Sequence, residues 1–148
     1  VDAVTGNPVG RAKLVPELIV SDLAASLAFW CDLIGFRIAF ERPEHRFAYL
    51  DFDGAEVMLE QNAVGVRHWI TAKLEHPLGR GANFQVSISD IEQPLDRLRK
   101  AGWPLFMEPE EKWYRVDEIE AGQRQFLVQD PDGYLIRLAQ WTGNRPIS

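Results

Sequence analysis

Several short apolar segments of this sequence carry, on their alternate positions, a second set of side chains with chemistry in them. In Phe47–Phe52 the residues Ala48, Leu50 and Phe52 form an inward set and leave Phe47, Tyr49 and Asp51 on the other face. The next segment sends Val57 and Leu59 inward and leaves Glu56, Met58 and Glu60. Before them, Pro16, Leu18 and Val20 leave Val15, Glu17 and Ile19. Later, Phe84, Val86 and Ile88 leave Asn83, Gln85 and Ser87; Phe126 and Val128 leave Gln125, Leu127 and Gln129; Ile136 and Leu138 leave Leu135, Arg137 and Ala139. Such a face offers aromatic rings for stacking, amides for hydrogen bonding and a few charges of both signs. A face that only met solvent would be richer in Lys and Glu, so the pattern favours a cavity or cleft. Other chemistries lack support. Cys31 lies mid-helix beside Trp30 and Asp32 with no histidine near it in sequence, which reads as an inert thiol. His45, His68 and His76 form no metal-binding pair and read as surface or loop residues. Gly79-Arg80-Gly81 is too short for a phosphate loop.

The elements that must position this face occur twice. Leu14–Val20 is a strand; Ser21-Asp22 caps a helix over Leu23–Ile34, in which Leu23, Leu27, Trp30 and Ile34 keep the helical period and Gly35 provides the stop. Strands follow at Phe36–Glu41, Phe47–Phe52 and Glu56–Gln61, the last two joined by the hairpin signal Asp53-Gly54. The pattern then returns: strand Asn83–Ser89, cap Ser89-Asp90, helix Ile91–Ala101 with Pro94 in its first turn, and strands Arg124–Gln129 and Leu135–Gln140 around Asp130-Pro131-Asp132-Gly133. Trp113-Tyr114 falls in a long loop of this second unit, and Glu108-Pro109-Glu110-Glu111 reads as a solvated turn. Trp30 and Trp103 read as core. The fold class is α+β: two tandem β-α-β-β-β modules, over residues 13–62 and 82–141, joined by a linker at 63–81 and preceded by a loose arm at 1–12. Neither module alone could bury enough surface to be stable, so the two form one domain around a cup-shaped cleft.

Composition agrees with this and narrows it. The 148 residues hold 46% hydrophobic and 26% charged side chains and a single cysteine, the proportions of one soluble globular domain without an internal disulfide. A cytoplasmic setting is expected, since the first twenty residues lack a secretory pattern and no apolar run could span a membrane. A formal charge of −6 argues against a nucleic-acid partner and is compatible with a cationic ligand.

Two segments resemble a known family. Val15-Pro16-Glu17-Leu18-Ile19-Val20-Ser21-Asp22-Leu23, with Ser26-Leu27-Ala28-Phe29-Trp30 and Leu33-Ile34-Gly35-Phe36, is similar to the opening of the vicinal oxygen chelate superfamily; Phe126 to Ile136, with its Asp130-Pro131-Asp132-Gly133 turn, resembles its closing motif. The superfamily includes glyoxalase I, extradiol dioxygenases, metal-dependent antibiotic-modifying enzymes and the metal-free bleomycin resistance proteins. The resemblance implies two β-α-β-β-β modules and a homodimer with clefts across modules. It also implies where a divalent metal would be held, by one His, Glu or Gln from each of four strands. Those positions here are Val15, Asn83, Arg137 and, for the second ligand, Met58 by internal symmetry or Glu60 as the nearest competent residue. A guanidinium that keeps its proton repels a metal, so no metal and no cofactor are expected. The pattern, with the Val15-Pro16-Glu17-Leu18 opening, resembles most the bleomycin resistance proteins, which sequester a large cationic glycopeptide without turnover. On that resemblance the partner is an aromatic cationic small molecule such as a bleomycin-type antibiotic. Phe47, Tyr49, Trp69, Trp113 and Tyr114 would be its walls and Glu17, Asp51 and Glu60 its counter-charges, with Met58, Asn83, Gln85, Gln125 and Arg137 completing the face. Arg137 has a second reading, as the ion-pair partner of Glu60 or Glu17 across the cup. The competing function is a glyoxalase-like lyase or dioxygenase whose metal ligands stand in a shifted register.

Overall fold

A computed structural model describes residues 12–148; the arm expected at 1–12 lies, but for its last residue, outside the described residues. The chain forms two four-stranded sheets, each with one longer helical segment after its first strand, and a short 3-10 turn at Pro43–His45 lies in the first. The first sheet holds β1 (Glu17–Val20), β2 (Arg37–Arg42), β3 (Phe47–Phe52) and β4 (Ala55–Gln61), in the order β1-β4-β3-β2. The second holds β5 (Asn83–Ser87), β6 (Met107–Val116), β7 (Ile119–Gln129) and β8 (Leu135–Pro146), in the order β5-β8-β7-β6. In each sheet the first strand runs parallel to the last and every other pairing is antiparallel. The repeated pattern in the sequence is therefore a repeated topology.

Local signals explain most boundaries. Asp22 caps α1 (Leu23–Leu27) by accepting hydrogen bonds from the Ala24 and Ala25 N–H groups. From Ala28 to Ile34 the helix widens into a π-helix, a departure from the regular helix expected there. The wider turn accompanies burial of three large residues within six positions, Phe29, Trp30 and Ile34. It ends where the Gly35 N–H meets the Trp30 carbonyl, with Gly35 at φ +116°. In the second module Asp90 Oδ1 accepts from the Glu92 N–H at the start of α2 (Glu92–Lys100), whose Leu95 and Leu98 are fully buried.

The segment expected to be a loop and a solvated turn is instead β6, and it carries Glu108, Glu110, Glu111, Trp113 and Tyr114. It is an edge strand, exposed along most of its length, so no apolar alternation marks it. Pro109 sits at the irregularity between Met107 and Glu110, where an edge strand tolerates a missing N–H. With it, β7 and β8 run well past the expected strands, to Ile119 and Pro146.

The inward sets of both sheets meet in one core. Leu18, Val20, Ala48, Leu50, Val57 and Leu59 of the first sheet join Val86, Phe126, Val128, Ile136 and Leu138 of the second, with Trp30, Leu95 and Leu98 from the helices. Polar bonds cross between the modules. Trp30 Nε1 donates to Asp130 at 3.1 Å, the Tyr134 hydroxyl to the Ile19 carbonyl at 2.9 Å, and the Ser21 N–H to Asp132 at 3.2 Å. Arg97 reaches from α2 to the carbonyls of Leu33 and Ile34. Trp103 packs on Phe29 with ring centroids 5.1 Å apart. Gly54 and Gly133 occupy matching turns, both at φ +96°. A Cβ on Gly54 would meet nothing within 4 Å, whereas one on Gly133 would lie 2.5 Å from the Pro77 Cβ.

Candidate functional site

The register resolves which positions correspond. Glu17 pairs with Met58 across β1 and β4, as Gln85 pairs with Arg137 across β5 and β8. Met58 is thus the counterpart of Arg137, and Glu60 stands one step further along the same face.

On the first face, Phe47 and Tyr49 are each only 3% exposed. They were expected as ligand walls, but β2 covers them: Phe40 stacks on Tyr49 with centroids 4.7 Å apart, and the Arg42 guanidinium lies 3.9 Å above the Phe47 ring. The Tyr49 hydroxyl donates to Glu56, and burial, then Glu56, push its pKa up to about 12. Asp51, expected as a counter-charge for ligand, is buried and paired with Arg37 at 2.9 Å. What stays open is the corner near Glu17 and Glu60. Burial, and then the neighbouring Glu60, raise the Glu17 carboxyl above its ordinary value, while Arg42 and His68 pull the other way. His68 is not a surface residue: its side chain is 4% exposed, with Nδ1 3.6 Å from Glu60. The Ala63 N–H donates to its Nε2 at 3.0 Å, so in the neutral ring the proton sits on Nδ1, facing the carboxylate. Beside this corner the 63–81 segment encloses a hollow of about 490 Å³ lined by Glu17, Ile19, Trp69, Leu74, Arg80 and Tyr134. Trp69 stands 81% exposed on its rim.

The second face is built differently. Gln85, Tyr114, Gln123, Arg137 and Trp141 line a hollow of about 400 Å³. A chain of amides runs along it. Gln125 Nε2 donates to Glu110 at 3.1 Å and to the Tyr114 oxygen at 2.7 Å. Gln123 Nε2 in turn donates to Gln125 Oε1 at 2.6 Å and to Gln85 Oε1 at 3.3 Å. Arg137 does not pair with Glu60 or Glu17: among the described residues it has no ion-pair partner, and its Nε is buried without a hydrogen bond. Glu60 is turned to His68 instead. Trp113 does not join Tyr114 here, because successive strand residues point to opposite faces. Its ring covers Gly122, where a Cβ would come within 2.8 Å of it, and Arg145 lies 4.1 Å over its other side. Asn83 is exposed and lines a separate hollow of about 320 Å³ with Pro16, Glu56 and Gln85. Sequence reasoning missed Gln123 and Trp141. Extending the Gln125 alternation one step back, and the Arg137–Ala139 alternation one step on, would have found both.

The four positions where the fold family holds a metal do not fit one here. Val15 has no donor, Asn83 offers an amide and Arg137 a cation, and the second position is the Met58 thioether or a Glu60 turned to His68. Among the described residues no group of three or more His, Cys, Asp or Glu is placed to hold a metal ion. Cys31 is half-buried, and burial followed by Asp32 raises its thiol pKa, which disfavours the nucleophilic thiolate.

This paired-module architecture is that of a superfamily whose sequence model matches residues 12–138. The chain belongs to the glyoxalase/bleomycin resistance protein/dioxygenase superfamily. Among its relatives is a probable lactoylglutathione lyase of Synechocystis sp., 30% identical over 130 residues that span 85% of this chain and 92% of the other. Among solved structures, TioX from Micromonospora sp. ML1 superposes with a TM-score of 0.64 at 23% identity, covering 89% of this chain and 98% of that one. A virulence protein of Salmonella typhimurium superposes at 0.62 with 21% identity, covering 86% and 94%. At those identities the superpositions establish the fold. No helix among the described residues is long and apolar enough to cross a membrane.

Proposed function

We propose that this chain is a metal-independent binding protein for an aromatic, cationic small molecule, which it holds without turnover. The observation that carries the reading is the set Val15, Asn83 and Arg137 at three of the family's metal positions, with Met58 or Glu60 at the fourth. The first hollow supports the reading with an exposed indole at Trp69 for stacking and the Glu17 and Glu75 carboxylates for charge, with Lys73 and Arg80 elsewhere on its lining. A bleomycin-type antibiotic is the ligand class of the family that fits this pairing, which would make the protein a resistance factor. It would act in the cytoplasm, where its free cysteine stays reduced, as a homodimer, a reading supported by the apolar Val116 and Ile119 exposed at the β6–β7 end. Purification without chelator, followed by elemental analysis, tests the central claim: stoichiometric Ni, Zn, Fe or Mn retained by the protein overturns it. Titration with metal-free bleomycin, following tryptophan fluorescence, tests the ligand class; quenching should saturate at micromolar drug and weaken at least about tenfold in Trp69→Ala.

A second reading is favoured by the likeness to the probable lactoylglutathione lyase. On it, the chain would be a metal-dependent lyase with displaced ligands. Metal-stimulated lactoylglutathione formation by the purified protein would establish it.

A further inference from the structure

The hollow of the second module is surrounded by groups whose hydrogen-bond polarity is set from outside it. Glu110 can only accept when ionised, so Gln125 must turn its NH₂ toward it and its oxygen toward Gln123. Gln123 therefore presents NH₂ to both Gln125 and Gln85, and Gln85 receives it on its oxygen. The Gln85 NH₂ is left over. The Tyr114 oxygen accepts from Gln125, so its own hydrogen is free to donate. Arg137 adds a guanidinium with a buried, unbonded Nε–H and no carboxylate within ion-pair distance among the described residues. The groups left unbonded on Gln85, Tyr114 and Arg137 are all donors, against a single unbonded acceptor among the three amides, the Gln123 Oε1. Trp141 closes one side with an exposed ring, its N–H engaged by Asn144 at 3.2 Å.

The geometry points to a second binding site in this hollow, for the carboxylate of a planar aromatic acid. The guanidinium would take the carboxylate oxygens, Gln85 and Tyr114 would supply further donors, and Trp141 would stack on the ring. A cation would meet Arg137 with no counter-charge, and a neutral apolar ring would leave the buried Nε–H unbonded. This site differs in place from the hollow beside Glu17, whose lining mixes Glu17 and Glu75 with Lys73 and Arg80, and it does not depend on what that hollow binds.

The probe is 2-naphthoate, with 2-naphthamide and 2-naphthylmethylamine as its neutral and cationic counterparts, added to the full chain. In ¹H–¹⁵N spectra, naphthoate should shift the Arg137 Nε–H and the Trp141 indole N–H together and saturably, and the amine should leave both in place. Arg137→Met, which installs the residue of the matching position in the first module, should weaken naphthoate at least about tenfold. Gln85→Glu changes only an exposed side chain and turns a donor into an anion, so it should weaken naphthoate similarly while the fold is untouched. No saturable shift with naphthoate, equal shifts with the amine, or undiminished binding in both variants would overturn the assignment. So would an Arg137 signal that moves with protein concentration alone, since its partner would then be a carboxylate of a second copy.

Discussion

The two sheet faces are laid out on one pattern and have been finished in opposite ways. In the first, Phe40, Arg42 and Arg37 of β2 cover Phe47, Tyr49 and Asp51, and Glu60 is turned to His68. In the second, Glu110 and Tyr114 of β6 reach over only as far as Gln125, the amides bond to these two and to one another, and Arg137 is left unpaired. Equivalent backbone positions hold Met58 on one side and Arg137 on the other. The difference teaches that the shared topology positions a face, while the edge strand decides whether that face is closed by the protein itself or open to a ligand. Both faces nevertheless rest on a single core.

That last point gives the largest expected effect. Trp30 lies fully buried between the modules, and Trp30→Ala should cost about 3–5 kcal/mol. Urea unfolding followed by circular dichroism and by fluorescence should keep one coincident transition; two separated transitions would mean that the faces belong to independent units. Next comes Asp130, whose burial raises its pKa from 3.8 to about 6 even though Trp30 and two backbone N–H groups donate to it. A raised folded pKa means that the native state holds the proton more tightly than the unfolded chain. Its contribution is therefore fully present below about pH 4 and is lost as pH rises through about 6, a change of at most roughly 3 kcal/mol. Denaturation midpoints measured from pH 4 to 7 should fall through this window, and Asp130→Asn should flatten the fall.

The faces themselves are compared by matched tyrosines. Tyr49→Phe removes a buried bond to Glu56 and should cost about 1–2 kcal/mol, whereas Tyr114→Phe, in the open hollow, should cost roughly 0.5 kcal/mol or less. Equal losses by thermal denaturation would erase the distinction between a closed face and an open one. The smallest effect belongs to Arg37→Ala. Its guanidinium is largely exposed, and removing the Asp51 pair should change stability by no more than roughly 0.5–1 kcal/mol.

Much of this was legible in the residue pattern, and what was not has a physical reason. Period-two alternation and the Ser-Asp and Asp-Gly punctuation located both modules, because burial on one sheet face imposes that alternation. The inward residues named from parity lie in the core or, for Phe52, Phe84 and Ile88, pack against it, with Pro16 alone left outside. β6 was illegible because an exposed edge strand has no buried face to impose a pattern, and Pro109 argued further against a strand. The outward residues were placed on the right strands, yet alternation says nothing of what covers them. That Phe47 and Tyr49 lie under Phe40 and Arg42 depends on pairing between β2 and β3. Nothing local in the sequence distinguishes His68 from a loop residue, because its burial beside Glu60 comes from the fold of the 63–81 segment.

The matching turns at Gly54 and Gly133 carry a consequence for how such a chain can change over time. They share a φ of +96° and the same Asp-Gly sequence, but only one has neighbours. Around Gly133, Pro77 presses on the backbone, Asp130 and Asp132 reach into the first module, and Tyr134 seizes the Ile19 carbonyl. A loop inserted between Asp53 and Gly54 would swing into open water, and drift there should go unpunished. The same insertion between Asp132 and Gly133 would pull apart the seam on which both halves close. One half of the duplication is therefore free to wander in length at its turn, and the other is frozen as the hinge pin of the pair.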